Sequence, residues 1–417
     1  MKRILLLALC ALLSLNAGAR TLYVDAKRPN NNGNGLSKAK AKKTIQAAIN
    51  VAKKGDTILV LPGTYAPIQT KNKKITIKST KGAKKTKIVS NAGDDLLADL
   101  SKHVRRHNSA YNYDYTEYSG RATTMSGFLF DGQNSTEAAI VGGSPVSCTI
   151  QGFRGSIYAT SPLYSSFLSR CLVRNNYVVT GSLFADCVVK ATIIQSNACE
   201  DFDQGCFGIG TNTKFVDCSI RKNTFCWGFR EGTTLLNCRI IRNTLHICSH
   251  SGDAIARDSH LTNCLIADNE GACGFGFRSS ELLNCTIARN TVRSLSADKF
   301  SDECKFYNCI LWNNYSQSYW SESVPEWNEA HTVCEYKTVF HPYPEKLHNV
   351  DSGNVYKNTD KTNRNPKFTS AYKLKKGSYC IDKGKLTKKQ KKQVGTKDLA
   401  GKKRIKGKAI DRGCYEY

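Results

Sequence analysis

The sequence predicts an all-β fold, a single parallel β-solenoid with a short N-terminal capping helix. Three observations predict it: a recurring Cys-x-Ile-x-x-Asn pattern, a spacing of 20 to 26 residues between copies, and a short alternating apolar stretch in each copy with no amphipathic helix.

The pattern is clearest in LNCTIARN at residues 283–290. It recurs as SRCLVRNN around Cys171, VDCSIRKN around Cys218, LNCRIIRN around Cys238, TNCLIADN around Cys264 and YNCILWNN around Cys309. SCTIQGF at Cys148 fits the first half, with Phe153 in the Asn position. Between Cys171 and Cys218, ATIIQSN supplies the missing copy, with Thr192 in the Cys slot; using Cys187 instead would give unequal units of 16 and 31 residues. The intervals are then 23, 21, 26, 20, 26, 21 and 24 residues. Alternate residues of a strand share a face, so Cys285 and Ile287 are expected inward and Thr286 toward water. Stacked coils put each Cys on the one below. The Asn is expected at the corner, where its side chain tolerates left-handed backbone angles and bonds to a neighbouring turn.

The ends of the chain differ from its middle. Lys2 and Arg3, the apolar run from Ile4 to Leu15 and Ala17-Gly18-Ala19 read as a secretory signal peptide over residues 1–19. No later segment is long and apolar enough to span a membrane. Residues 27–87 hold 16 Lys and Arg against one acid, net +15, and residues 373–408 hold 15 against two, net +13. Residues 88–372 hold 26 against 28, net −2, so the total of +27 belongs to the ends. That partition argues against a polyanion channel along the coils, and so against a nucleic-acid partner, and for basic caps at the two ends. No Cys pair forms a CxxC zinc motif, and the repeated cysteines read as small core residues. TIQAAINVAKKG reads as a helix over 44–54, with Ile45, Ala48, Ile49 and Ala52 as its apolar stripe, Thr44 at its start and Gly55 at its end.

Residues 21–65, from TLYVDAKRPNNNGNG through GDTILVLPGTY, resemble the entry segment of secreted right-handed parallel β-helix proteins, the pectate-lyase-like superfamily. The coils resemble the repeats of polymorphic outer-membrane proteins. NPKFTSAYKLKKGSYCIDKG and the final DRGCYEY are similar to a choice-of-anchor C-terminal region. The resemblance implies a right-handed helix, a secreted or cell-surface location and an extracellular polysaccharide partner. It also implies that Cys380 and Cys414 are brought together as a disulfide. The expected organisation is a signal peptide at 1–19, a cap and first coils at 20–90, repeats at 91–314 with a Tyr-rich loop at 94–121, an aromatic loop region at 315–360 and a Lys-rich C-terminal region at 361–417.

Candidate site residues fall in two places. HICSHSGDAIARDSH at 246–260 lengthens one coil and gathers titratable groups, making His250, Asp253 and Arg257 the catalytic candidates. Seven residues before each ladder position stand Thr211, Glu231, Arg257, Arg278 and Asp302. In this column Arg257 and Arg278 are placed to hold a carboxylate or sulfate. Trp320 and Trp327, with Tyr111, Tyr113 and Tyr115, are candidate sugar contacts. The sequence carries no linear catalytic motif of a polygalacturonase, and no cofactor is assigned; a lyase of this superfamily would add calcium. Two functions stay open: an exported protein that binds or cleaves an anionic extracellular polysaccharide, and a non-catalytic adhesive β-helix.

Overall fold

In the second half of the chain the coils turn at residues in left-handed backbone angles, and the residue after such a turn points into the core. In the coil that holds Cys238, Asn237 (φ 54°) precedes the ladder cysteine and Arg242 (φ 56°) precedes the ladder Asn243. The same pairing recurs at Asp217 and Lys222, Asn263 and Asp268, Asn284 and Arg289, and Asn308 and Asn313. The left-handed role expected of the ladder asparagines therefore belongs to the residue before them. Asn and Asp fill many of these corners because their short polar side chains lower the steric cost; Arg and Lys fill others.

The computed structural model describes residues 18–90, 96–108, 113–136, 138–155, 163–178, 181–199, 207–245, 254–271, 275–294, 301–321, 340–342, 347–348, 351–352, 355–357 and 364–417. The chain divides into two compact units, residues 1–151 with 165–171, and residues 152–164 with 172–417.

In the first unit, Thr21–Val24, Thr57–Val60, Thr76–Ser79, Thr124–Ser126, Ser144–Val146 and Phe167–Ser169 stack in parallel in that order. The helix Ile45–Val51 packs on the first of these strands with Ile45, Ala48 and Ile49 buried. Thr44 caps it by accepting from the Ala47 N–H, as expected, but the helix ends at Ala52, before Gly55. Arg20 closes the edge by pairing with buried Asp56 at 2.7 Å. Burial pushes that carboxyl up, but bonds from the Arg20 side chain and from the backbone N–H groups of Lys53 and Arg20 bring it below its ordinary value. Within the expected Tyr-rich loop, Lys102–Asn108 and Tyr113–Ser119 pair as an antiparallel hairpin.

The second unit has three parallel faces. Val188–Lys190, Lys214–Val216, Thr234–Leu236, His260–Thr262, Glu281–Leu283, Lys305–Tyr307 and Val355–Lys357 form the first. Leu172–Arg174, Ile193–Gln195, Ser219–Arg221, Arg239–Ile241, Leu265–Ala267, Thr286–Ala288 and Ile310–Trp312 form the second. The third runs through Gly181–Ala185, Phe207–Thr211, Trp227–Arg230, Ala254–Arg257, Phe275–Arg278 and Ser301–Asp302. Parallel strands joined by crossovers take the right-handed course, and each unit is by itself a right-handed parallel β-helix, the fold class expected.

The register is the one read from the repeat. Leu172 pairs with Ile193 and Ile193 with Ser219, which places Thr192 in the cysteine column with buried Cys218, Cys238, Cys264, Cys285 and Cys309. Cys187 belongs to a different inward ladder, with Thr213, Thr233, Ser259, Ser280 and Cys304 below the first face. Asn176, Asn197, Asn223, Asn243, Asn269, Asn290 and Asn314 are all buried. Each Nδ2 from Asn176 to Asn290 donates to the next Oδ1 at 2.8 to 2.9 Å. From Asn197 on, the same amide also donates to a carbonyl of the coil before, as Asn243 does to Ile220. The ladder thus satisfies its own buried amides, the condition for keeping them in a core. Phe184, Phe215 and Phe229 fill the core beside it with ring centroids 5.5 Å apart, edge to face.

Candidate functional site

The outward side of the second face changes character along the stack. In successive coils the paired outward positions carry Ser219 and Arg221, then Arg239 and Ile241, then Leu265 and Ala267, Thr286 and Ala288, and Ile310 and Trp312. The later positions are apolar because the C-terminal segment covers them. Leu265, Ala267 and Ala288 pack with Tyr372, Leu399, Cys414 and Tyr415, and Ile310 packs with Leu374 and Cys380. Thr286, expected to face water, is buried and its Oγ1 accepts the Cys414 N–H at 3.2 Å. The corner asparagines join in: Asn263 Nδ2 donates to the Val394 carbonyl and Asn308 Nδ2 to that of Asp411.

The C-terminal segment stops at the coil of Arg239, whose Nη2 donates to the Leu399 carbonyl at 2.8 Å. Beyond that edge lies an open groove of about 680 Å³, floored by Gln195, Ser219, Arg221, Arg239 and Ile241 and walled by Ser370, Ala371, Tyr372 and Tyr415. Four cationic side chains line it, Arg221, Lys222, Arg239 and Arg242, against one acid, Asp268. Arg221 is held upright by Gln195, whose Oε1 accepts from its Nε and Nη2 at 3.1 and 3.0 Å. Lys222 and Arg242 stand exposed at consecutive corners. The single acid is engaged already: Arg289 Nη2 approaches Asp268 to 2.7 Å, and Tyr372 Oη donates to it at 2.7 Å. Burial, with the Asp268 charge, pushes the Tyr372 hydroxyl well above its ordinary value, so it acts as a donor and not as a base. Tyr415, raised to about 12 chiefly by burial, is likewise protonated at neutral pH. The groove therefore presents fixed positive charge and neutral hydroxyls, a surface suited to carboxylate or sulfate groups arrayed along a chain.

Sequence reasoning missed these four residues, although the repeat contains the signal. Arg221 and Arg239 occupy outward strand positions of the Cys218 and Cys238 copies, and Lys222 and Arg242 occupy the corner before the ladder Asn. Averaging charge over residues 88–372 concealed a local cluster.

The expected column on the third face is partly right. Arg257 pairs directly with Arg278, and Arg278 with Asp302. Thr211, however, pairs with Arg230, not Glu231. Glu231 and Gly232 both take left-handed angles, adding one residue to that corner and shifting the count. Arg230 stacks over the Trp227 ring at 4.2 Å, and Arg257 Nε lies 3.3 Å from Asp258. His250, Asp253 and Trp327 lie outside the described residues, as does Tyr111. Trp320 belongs to the strand Tyr315–Ser321, paired antiparallel with Phe340–Pro342. Cys380 and Cys414, the implied disulfide partners, are both buried and pack in different clusters, Ile310 and Leu374 around one, Leu265 and Tyr415 around the other. Among the described residues no group of three or more His, Cys, Asp or Glu is placed to hold a metal ion. No helix among them is long and apolar enough to cross a membrane.

No family model matches the chain, and no curated protein does. Among solved structures it is similar to pectate lyase Pel9A, at 14% identity and a TM-score of 0.48, over 97% of this chain and 98% of that one. It is also similar to a GH136 lacto-N-biosidase from Eubacterium ramulus (11% identity, TM-score 0.31, 71% of this chain and 62% of that one). A third similarity is to a family 28 exopolygalacturonase from Yersinia enterocolitica (8% identity, TM-score 0.34, 72% and 75%).

Proposed function

We propose that the protein is an exported β-helix that binds an acidic polysaccharide in the groove beside its C-terminal segment. The observation that carries this reading is the set Arg221, Lys222, Arg239 and Arg242 lining one groove with a single, already paired acid. Coils repeat at about 4.8 Å, so an extended polyanion crossing them meets cationic groups at regular intervals. Polymer length compensates for the modest worth of each exposed contact. The leader-like residues 1–19 support export. The adjacent Arg257 and Arg278 are a secondary contact for the same class of ligand.

The test is a panel of purified polysaccharides, scored both for binding and for new ultraviolet absorbance from unsaturated chain ends. Binding of pectate, alginate or a sulfated glycan but not of neutral glucans supports the reading, and absorbance growth would add cleavage to it. Equal binding of neutral and acidic chains, or none, would replace it with the adhesive alternative.

A further inference from the structure

The C-terminal segment that packs on the coils also carries a basic surface. Between residues 383 and 408 stand eleven lysines, all of them exposed. The single acid of that stretch, Asp398, is 3% exposed and already accepts the N–H groups of Ala400, Lys402 and Glu416. Among the described residues none of these lysines pairs with an Asp or Glu.

Several of the lysines are gathered around exposed apolar side chains. Lys397 and Lys403 stand opposite each other across an antiparallel bridge. Like charges directly opposite repel, so an anion brought from outside relieves the pair. Lys391 and Lys403 flank a recess of about 290 Å³ lined by the apolar residues Leu386, Val394, Ile405 and Ile410. Ile405 is 42% exposed. Its chain neighbour Lys406 donates Nζ to the Tyr417 carbonyl at 2.7 Å, which sets a tyrosine that is 50% exposed beside another lysine. Val394 and Ile410 pack against Leu283 of the first face, so the surface is fixed to the coils. Lysines needed only for solubility would leave no apolar residues between them.

The occupant has to offer dense negative charge with an apolar layer behind it. A polyanionic glycan gives the charge and makes no use of Ile405. An anionic phospholipid bilayer gives both: phosphates for the ammonium groups, whose aliphatic stems lie along apolar surface, and a headgroup boundary into which Ile and Tyr insert.

We propose that this surface docks on an anionic phospholipid bilayer, with Lys391, Lys397, Lys403 and Lys406 at the phosphates and Ile405 and Tyr417 in the headgroup layer. The residues of the polysaccharide groove take no part in it.

The experiment is co-sedimentation of the full chain with vesicles of phosphatidylcholine alone and with vesicles containing about one third phosphatidylglycerol, at low and at physiological salt. Saturable binding to the anionic vesicles is expected, at least about tenfold tighter than to the neutral ones, and weakening as salt rises. Each lysine near such a surface strengthens binding about fivefold, so Lys391→Ser, Lys397→Ser and Lys403→Ser together should weaken it about a hundredfold. Ile405→Ser should weaken it about five- to tenfold and leave pectate binding as in the parent. All four residues are exposed, so the fold should hold. The vesicle result stands whether or not the groove binds a polysaccharide. The proposal is overturned if the full chain binds neither kind of vesicle, or both equally. It is overturned as well if Ile405→Ser or the triple lysine variant binds anionic vesicles as tightly as the parent. Loss of pectate binding by the triple variant, in a protein whose parent ignores vesicles, also overturns it and assigns the surface to a glycan.

Discussion

Tyr372 donates its hydroxyl to Asp268 at 2.7 Å across 104 residues of sequence, and Arg289 completes the triangle by donating Nε to the same hydroxyl at 2.6 Å. This contact clamps the C-terminal segment to the coils and forms one end of the groove. Tyr372→Phe keeps the packing with Phe368 and Leu399 and loses the hydroxyl, so it is expected to destabilise by about 1 kcal/mol. Tyr372→Ala also opens a cavity and is expected to cost about 3 kcal/mol or more. Urea unfolding midpoints of the parent and the two variants check the order; a Tyr372→Phe midpoint equal to the parent's would mean the hydroxyl clamp contributes nothing.

The asparagine ladder predicts a larger loss at its centre. Asn243 receives both the backbone N–H and the Nδ2 of Asn223 on its Oδ1, and donates to Asn269 and to the Ile220 carbonyl. Asn243→Ala leaves two buried donors without partners, an expected cost of about 3 kcal/mol or more. The exposed corner beside it should behave differently. Arg242→Gly relieves a left-handed non-glycine residue and should change stability by less than about 1 kcal/mol in either direction. Hydrogen exchange of the flanking coils distinguishes the two variants.

The solenoid and its register were legible because a repeat fixes both at once: Thr192 takes a cysteine's place because the spacing demands it. The pairing of Arg257 with Arg278 was readable by counting. Glu231 was misplaced because one corner holds an extra left-handed residue, which no spacing rule reveals. Docking of the C-terminal segment was written in the paired outward residues Leu265 and Ala267, and Ile310 and Trp312, where a solvated face should be polar. The groove was harder to see, since its cations come from two copies of the repeat and its wall from residues about 130 positions later.

Thiol chemistry gives a separate check. Twelve cysteines from Cys148 to Cys414 are buried. An alkylating reagent should therefore leave them untouched in the native protein and modify all of them after unfolding without reductant. Peptide mapping that finds Cys380 joined to Cys414 would contradict the packing of these thiols in separate clusters.

Stability should fall with rising pH in one window. Burial, with the Asp411 charge, raises Glu416 from an ordinary 4.5 to about 8, although Arg404 opposes the shift. Between those values the folded chain holds a proton that the unfolded chain has released, so this contribution is complete below about 4.5 and is lost as pH rises toward 8. Asp411, also raised chiefly by burial, acts in the same sense. Glu416→Gln should flatten that decline, measured as thermal midpoints from pH 5 to 9; an unchanged slope would place the titration elsewhere.

The most direct measurement is the affinity of an acidic polysaccharide for the parent and for the double variant Lys222→Ala, Arg242→Ala, at low and at physiological salt. Both residues are exposed corners, so the fold should be unaffected. Each exposed charge is worth up to about 1 kcal/mol, so the double variant should bind several-fold to about thirtyfold more weakly at low salt. The difference should shrink at physiological ionic strength, where screening acts within about 8 Å. Substituting the lysines of residues 383–392 by Ser should leave selectivity among acidic glycans intact. If the double variant binds as tightly as the parent at low salt while the lysine-depleted variant loses binding, the groove is not the polysaccharide site.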